Sequence, residues 1–268
     1  NYRPSLPVVF NLHGYGGDAE LEMEHTRMNE VADIANFVVV YPNATANIWN
    51  SGIGDNPNFP TPDVDDVAFL SALIDVIYSE YLIDLDRVYA CGLSNGGFMS
   101  YRLASELSHR FSKIAAVAGV LTPTIVASSD TYSPIPILLM NGTADSVVPY
   151  FGGSIGWSSA EETLEYWLEA NACSMNSDTL SMPDIDTGDS CTVEVISFQD
   201  CRSGKEIIFY KIINGGHLWP GSGWDFYDWG PINEDISASA HIWNFFNSES
   251  YEINGVWVHD FMINAIYQ

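Results

Sequence analysis

The sequence predicts an α/β protein built on a doubly wound, mostly parallel sheet with helices on both faces. Three observations predict it. Six apolar, β-branched runs occur at roughly 7–13, 36–41, 87–93, 113–118, 135–141 and 206–213. Helical patterns stand between or after them, at about 19–34, 66–81, 95–109, 158–171 and 236–247. The runs themselves (PVVFNL, FVVVY, IPILLM) are almost continuously apolar, as strands covered on both faces must be. At 268 residues the chain can bury a large core, and no repeat or second unit divides it, so residues 1–268 are expected to form one domain.

Each element has a local reason. The first strand ends in LHGYGG, a turn rich in glycine. Either Asp65 or Asp66, before VAFLSALIDVIYSEYL, can cap the helix that follows. The 87–93 strand passes through GLSNGG directly into a helix, and the 135–141 strand runs into NGTAD. Residues 172–203 read as an irregular, polar insertion holding three cysteines, and 214–235 as a loop rich in Gly, Trp and Pro. The last stretch, 249–268, reads as a hairpin, with strand-like residues on either side of Asn254-Gly255.

Nine basic and 35 acidic residues leave a formal charge of −26, which repels nucleic-acid backbones and anionic membrane surfaces. No apolar run approaches the ~20 residues that span a bilayer, and no signal peptide is visible in the chain. Of the four cysteines, Cys91 lies in an apolar strand and reads as a buried thiol. Cys173, Cys191 and Cys201 fit no zinc spacing. One disulfide among these three is expected, of a pairing the spacing leaves open. It implies an oxidising compartment, so the chain is expected to be secreted or periplasmic.

The chemistry centres on Gly92-Leu93-Ser94-Asn95-Gly96, a G-x-S-x-G sequence between a strand and a helix. That context suits a nucleophile elbow: the glycines let strand and helix approach, and the serine projects over a helix N-terminus that favours negative charge. A serine hydroxyl needs a base, and the base an orienting acid. Of the six histidines, only His217 lies in a glycine-rich loop after a late strand. Asp145 follows an apolar strand, where parallel sheets place their sites. Ser94, Asp145 and His217 are therefore the expected nucleophile, orienting acid and general base. The backbone amides of Tyr15, in HGYGG, and of Asn95 are the expected oxyanion donors. Trp219, Trp49 and Trp224, with Trp229, are candidates for lining an acyl or aromatic pocket. No cofactor or metal is implied.

Five ordered motifs, LHGYGG, VDDVAFLSALID, DRVYACGLSNGGFMSYRLA, NGTADSVVPY and GGHLWPG, resemble the polyhydroxybutyrate depolymerase-type esterases of the α/β-hydrolase fold, a group that includes feruloyl and acetylxylan esterases. The likeness runs from residue 7 to about 247. It implies an α/β-hydrolase fold with a Ser94–Asp145–His217 triad. It also implies pairing of Cys173 with Cys201, leaving Cys191 outside the bridge. The family often has His where this chain has Asn141. The expected activity is serine carboxylesterase action on short-chain or feruloyl/acetyl esters, carried on small molecules or polysaccharide. A polyester depolymerase and a catalytically silent binding domain are the alternatives. Oligomeric state is not set by the sequence.

Such a sheet usually opens with two antiparallel strands, and SYEINGVWVHDFMINAIYQ resembles the segment that normally precedes NYRPSLPVVFNLHG. A circular permutation is therefore expected, in which the C-terminal hairpin supplies those two strands beside the 36–41 strand and covers that edge.

Overall fold

The computed structural model describes residues 5–128, 133–153, 156–223 and 229–248, and the backbone of 250–253 and 256–259. The strands are β1 (Leu6–Leu12), β2 (Val38–Val40), β3 (Ile83–Leu93), β4 (Lys113–Val117), β5 (Ile137–Gly142), β6 (Asp178–Ser181), β7 (Thr192–Phe198), β8 (Ile207–Ile213), β9 (Ser250–Ile253) and β10 (Val256–His259). The helices are α1 (Ala19–Thr26), α2 (Met28–Ala35), α3 (Asp66–Glu80), α4 (Asn95–Leu107), α5 (Pro123–Ala127), α6 (Ala160–Ala170) and α7 (Ala238–Asn247). Eight strands form one sheet in the order β2-β1-β3-β4-β5-β8-β7-β6. The six from β2 to β8 are parallel, and β7 and β6 extend the sheet antiparallel. This is the α/β-hydrolase fold.

The twofold alternation of each strand divides the core between the faces. Val8, Phe10, Ile137, Leu139 and Phe209 join α3, α4 and α6 through Leu70, Phe98 and Trp167. Val9, Leu138, Met140, Ile208 and Tyr210 join α2 and α7 through Met28, Trp243 and Phe246. Phe37 stacks on Trp243 with ring centroids 3.9 Å apart, and Tyr89 on Phe246 at 4.8 Å, pinning the second layer to the sheet. Asp65, not Asp66, caps α3, its carboxylate accepting from the Ala68 amide at 2.9 Å.

Three expectations change. The helix expected over 19–34 is two helices, broken at Arg27, which takes left-handed backbone angles (φ 51°, ψ 27°). Arg27 closes α1 with its amide on the Met23 carbonyl and forks onto Glu30 at the start of α2, an interaction that gives no glycine or proline signal. The segment 172–203 is not irregular. It contains β6 and β7 and is closed by a Cys173–Cys201 disulfide, with Cys191 a buried free thiol. β6 is exposed along its length, so it lacks the apolar face that marks a strand in sequence. Finally, β9 and β10 pair with each other, Val256 opposite Ile253 and His259 opposite Ser250, in a separate two-stranded sheet. Among the described residues, the first two strands expected from 249–268 are not seen beside β2. Residues 260–268 lie outside the described residues.

Candidate active site

The carboxyl ends of β1, β3, β5 and β8 bring four loops together. Ser94, between β3 and α4, sits at φ 54°, ψ −117°, a strained conformation that lifts its side chain off both elements. Its amide is fixed by the Val117 carbonyl at 2.8 Å, and its carbonyl accepts from Phe98. The elbow tolerates no side chain at its glycines. A Cβ on Gly92 would lie 2.5 Å from the Leu12 carbonyl oxygen, and one on Gly96 would collide with the same group. β1 and the head of α4 therefore touch backbone to backbone.

Asp145 follows β5 and His217 follows β8. The two loops are tied by the Ala144 amide on the Gly215 carbonyl at 2.9 Å. Across that tie His217 Nδ1 donates to Asp145 Oδ2 at 2.7 Å, with both side chains buried. Asp145 Oδ1 is occupied separately, accepting from the Val147 and Val148 amides at 2.8 and 2.7 Å. The carboxylate is thus clamped in one orientation. The His217 amide donates to the Trp229 carbonyl, and the Trp229 ring meets the imidazole edge to face at 5.6 Å.

The turn after β1 is braced from beneath. His13 is buried, and burial holds its pKa below the ordinary histidine value. Its Nδ1 donates to the Gly14 carbonyl at 2.8 Å and its Nε2 accepts from the Ala44 amide at 3.1 Å, which fixes a neutral tautomer. The Trp49 indole lies against His13 and donates to its carbonyl at 3.1 Å. The Asn95 side chain in turn accepts from the Trp49 amide and donates to the Trp49 carbonyl and Ser51 hydroxyl. The Gly16 and Gly17 amides are engaged by Asn47 and Gly14, whereas those of Tyr15 and Asn95 take no partner among the described residues.

Ser94 and His217 line a common cavity of about 230 Å³, with Tyr15, Leu21, Phe59, Val147, Leu218 and Trp229 among its walls. Of the tryptophans expected there, Trp229 lines the cavity. Trp49 is instead buried beneath the turn, and Trp219 is buried in the other core layer with its indole on Ser239 at 3.2 Å. Both are too apolar and too well enclosed to remain at a loop surface. Trp224 lies outside the described residues. Sequence reasoning missed Leu21, Glu22 and His25 of α1, which also line the cavity. Their one signal was spacing: positions 21, 22 and 25 share a helix face immediately after HGYGG. Burial raises the Glu22 pKa well above the carboxylate value. Burial, reinforced by His217, lowers that of His25 to about 4. Among the described residues no cluster of three or more His, Cys, Asp or Glu could hold a metal ion, and no helix is long and apolar enough to cross a membrane.

Residues 2–180 match the phospholipase/carboxylesterase family. A putative esterase, NocK, of Nocardia uniformis subsp. tsuyamanensis is 33% identical over 80% of this chain and 66% of its own length. The bifunctional acetylxylan esterase/xylanase XynS20E of Neocallimastix patriciarum is 28% identical over 90% of this chain and 34% of its own. Feruloyl esterase B of Piromyces equi is 31% identical over 83% and 42%. The chain thus spans between about one third and two thirds of the length of these curated relatives. Among solved structures, an acetyl xylan esterase from Aspergillus awamori shares the fold with a TM-score of 0.57 at 14% identity, covering 81% of this chain and 87% of that one.

Proposed function

This chain belongs to the phospholipase/carboxylesterase family, and on that premise we propose that it hydrolyses carboxylic esters through an acyl-serine intermediate. The observation that carries the reading is the 2.7 Å His217–Asp145 hydrogen bond opening onto the cavity that holds the strained Ser94. His217 Nε2 takes the hydroxyl proton as Ser94 Oγ bonds to the ester carbonyl carbon. The carbonyl electron pair moves to oxygen and is held by the Tyr15 and Asn95 amides. Collapse breaks the bond to the alcohol, which leaves with the proton from His217. Water then attacks the acyl-serine with the same histidine as base, releasing the acid and restoring Ser94. Asp145 fixes the tautomer and steadies the imidazolium. The α4 N-terminus adds a positive dipole at the developing oxyanion.

The substrate reading is a short-chain or feruloyl/acetyl ester on a small molecule or polysaccharide. Its support is the aromatic and aliphatic cavity wall together with the activities named for the fungal relatives. The Cys173–Cys201 bridge supports an oxidising compartment for the protein. The test is Ser94→Ala assayed on p-nitrophenyl acetate and methyl ferulate. Turnover is expected to fall by at least ~10³-fold with unchanged thermal stability. A Ser94→Ala variant that hydrolyses either ester at the wild-type rate overturns the mechanism.

A further inference from the structure

The two oxyanion donors stand on separate elements, Tyr15 on the turn after β1 and Asn95 at the head of α4. The turn holds three glycines in four residues, Gly14, Gly16 and Gly17, so its own backbone fixes little. It is held instead by residues 44–51, none of which lines the cavity. On the turn side, the Asn47 carbonyl accepts from the Gly16 amide at 2.8 Å, and the Ala44 amide donates to His13. The Trp49 indole donates to the His13 carbonyl at 3.1 Å, with its ring 5.0 Å from the imidazole. On the α4 side, the Trp49 backbone meets the Asn95 side chain twice. Its amide donates to Oδ1 at 2.7 Å, and its carbonyl accepts from Nδ2 at 3.1 Å. Nδ2 also donates to the Ser51 hydroxyl at 2.6 Å. The segment has its own anchor next door, where Asn50 is bound by the Asp66 carboxylate, the Val64 carbonyl and Arg102 of α4. Trp49, Ser51, His13 and Asn95 are all buried.

We propose that Trp49 is a positioning residue for the oxyanion hole: its indole registers the Tyr15 turn and its backbone registers Asn95, so that both amides point at one oxygen. The role rests on the esterase reading and adds to it a residue outside the substrate cavity. Geometry sets the need. An oxyanion donor works within about 2.7–3.1 Å of the charged oxygen, so two amides on separate elements require a common register. Chemistry sets the residue. The indole N–H reaches beyond a ring that already packs on His13, which a phenyl group cannot do. The Asn95 carboxamide presents an acceptor and a donor to one peptide unit, as another peptide would. Full negative charge on the oxygen exists only as the tetrahedral state forms, in both acylation and deacylation. A lost register therefore lowers kcat and leaves KM nearly constant.

Oxygen and thiono esters separate register from folding. p-Nitrophenyl acetate and p-nitrophenyl thionoacetate share a leaving group, but attack on the C=S carbon puts the charge on sulfur. Sulfur is a weaker acceptor and fits badly between amides placed for oxygen. Wild-type kcat/KM, read as p-nitrophenol release, is expected to favour the oxygen ester by about 10²-fold. Trp49→Phe keeps the ring beside His13 and removes the indole donor. Asn95→Ala keeps the Asn95 backbone amide and removes the clamp. Each should cut the preference by about tenfold, with the loss on p-nitrophenyl acetate falling in kcat and not in KM. The double variant should lose little more than the worse single one, because either cut opens the same bridge. Trp167→Phe, at an equally buried tryptophan on α6, should keep the wild-type preference, since partial unfolding lowers both rates alike. A wild-type preference in Trp49→Phe overturns the proposal, as do fully additive losses in the double variant or an equal loss in Trp167→Phe. A wild type that does not discriminate between the two esters overturns instead the assignment of Tyr15 and Asn95 as donors. Absence of wild-type turnover on p-nitrophenyl acetate overturns the esterase reading itself and is distinguished from both.

Discussion

The parallel body of the sheet and its antiparallel extension are stabilised in different ways and serve different ends. In the body, four loops leave the carboxyl ends of parallel strands and meet, and their polar groups are locked by backbone: Asp145 by two amides, Ser94 by Val117, His13 by Gly14 and Ala44. In the extension, β6 is exposed, β7 alternates, and the ends of 172–203 are joined covalently by Cys173–Cys201. None of its residues lines the cavity. It reaches the site only at one remove. Asp189 Oδ2 accepts from the Glu234 amide, Asp235 accepts from the Ile185 and Asp186 amides, and the Asn214 side chain donates to the Ser190 carbonyl, so the extension props both ends of the His217 loop. One region holds chemistry by geometry, the other holds a loop by a staple.

The sharpest way to separate them is Asp145→Asn. Because Oδ1 faces two amide donors, the asparagine must keep its oxygen there and turn its NH₂ toward His217 Nδ1. Nδ1 then becomes an acceptor and Nε2 carries the proton, so the imidazole can no longer take one from Ser94. A loss of about 10⁴ in kcat is expected, with little change in melting temperature. A loss under tenfold would mean that Asp145 does not set the tautomer.

Cys173→Ser should do the reverse. The bridge spans 28 residues, a loop whose closure is worth about 3–4 kcal/mol. Denaturant unfolding should show that loss while kcat/KM on p-nitrophenyl acetate stays within about twofold. A large kcat effect would move the extension from prop to participant.

The pH dependence of stability falls on the body. His25 and His241 are held near pKa 4, His25 by burial and then by His217, His241 by burial. Both are neutral when folded and charge when unfolded below about 6.5, so the unfolded state binds the extra protons. Stability is therefore full above pH 6.5 and falls toward pH 4, by about 1.4 kcal/mol per unit for each histidine. Glu22 has the opposite sign. Its raised pKa means stability is full below about 4.5 and declines as pH rises through the range where only the unfolded carboxyl is ionised. Urea titrations from pH 4.5 to 8 should show His241→Gln flattening the acid limb and Glu22→Gln the alkaline one. Parallel pH profiles for wild type and variants would contradict these assignments.

Most of the body was legible because its signals are local. Continuous apolar runs marked β1, β3 and β5, and G-x-S-x-G marked a turn where only glycine fits. What escaped depended on tertiary context. The Arg27 break is made by a side chain forking onto Glu30, not by a helix breaker. β6 has no buried face and pairs only because β7 lies beside it. Trp49 and Trp219 sit in loop sequence yet are drawn inward, because each indole N–H finds a buried acceptor, the His13 carbonyl and the Ser239 hydroxyl.

Trp219 and Trp229 give the finest version of the comparison. Trp219 is two residues from His217 in sequence but buried in the α7 layer, whereas Trp229, twelve residues away, touches the imidazole edge to face. Trp219→Phe removes the indole donor to Ser239 and should cost about 1–2 kcal/mol of stability, with KM for methyl ferulate unchanged. Trp229→Leu keeps an apolar wall but loses the aromatic face, and should raise KM severalfold at nearly constant melting temperature. If both variants shifted KM alike, the cavity would extend past Leu218 into the core. If neither did, the ester would enter from the Phe59 side, and the wall formed by Tyr15, Phe59 and α1 would set the fit alone.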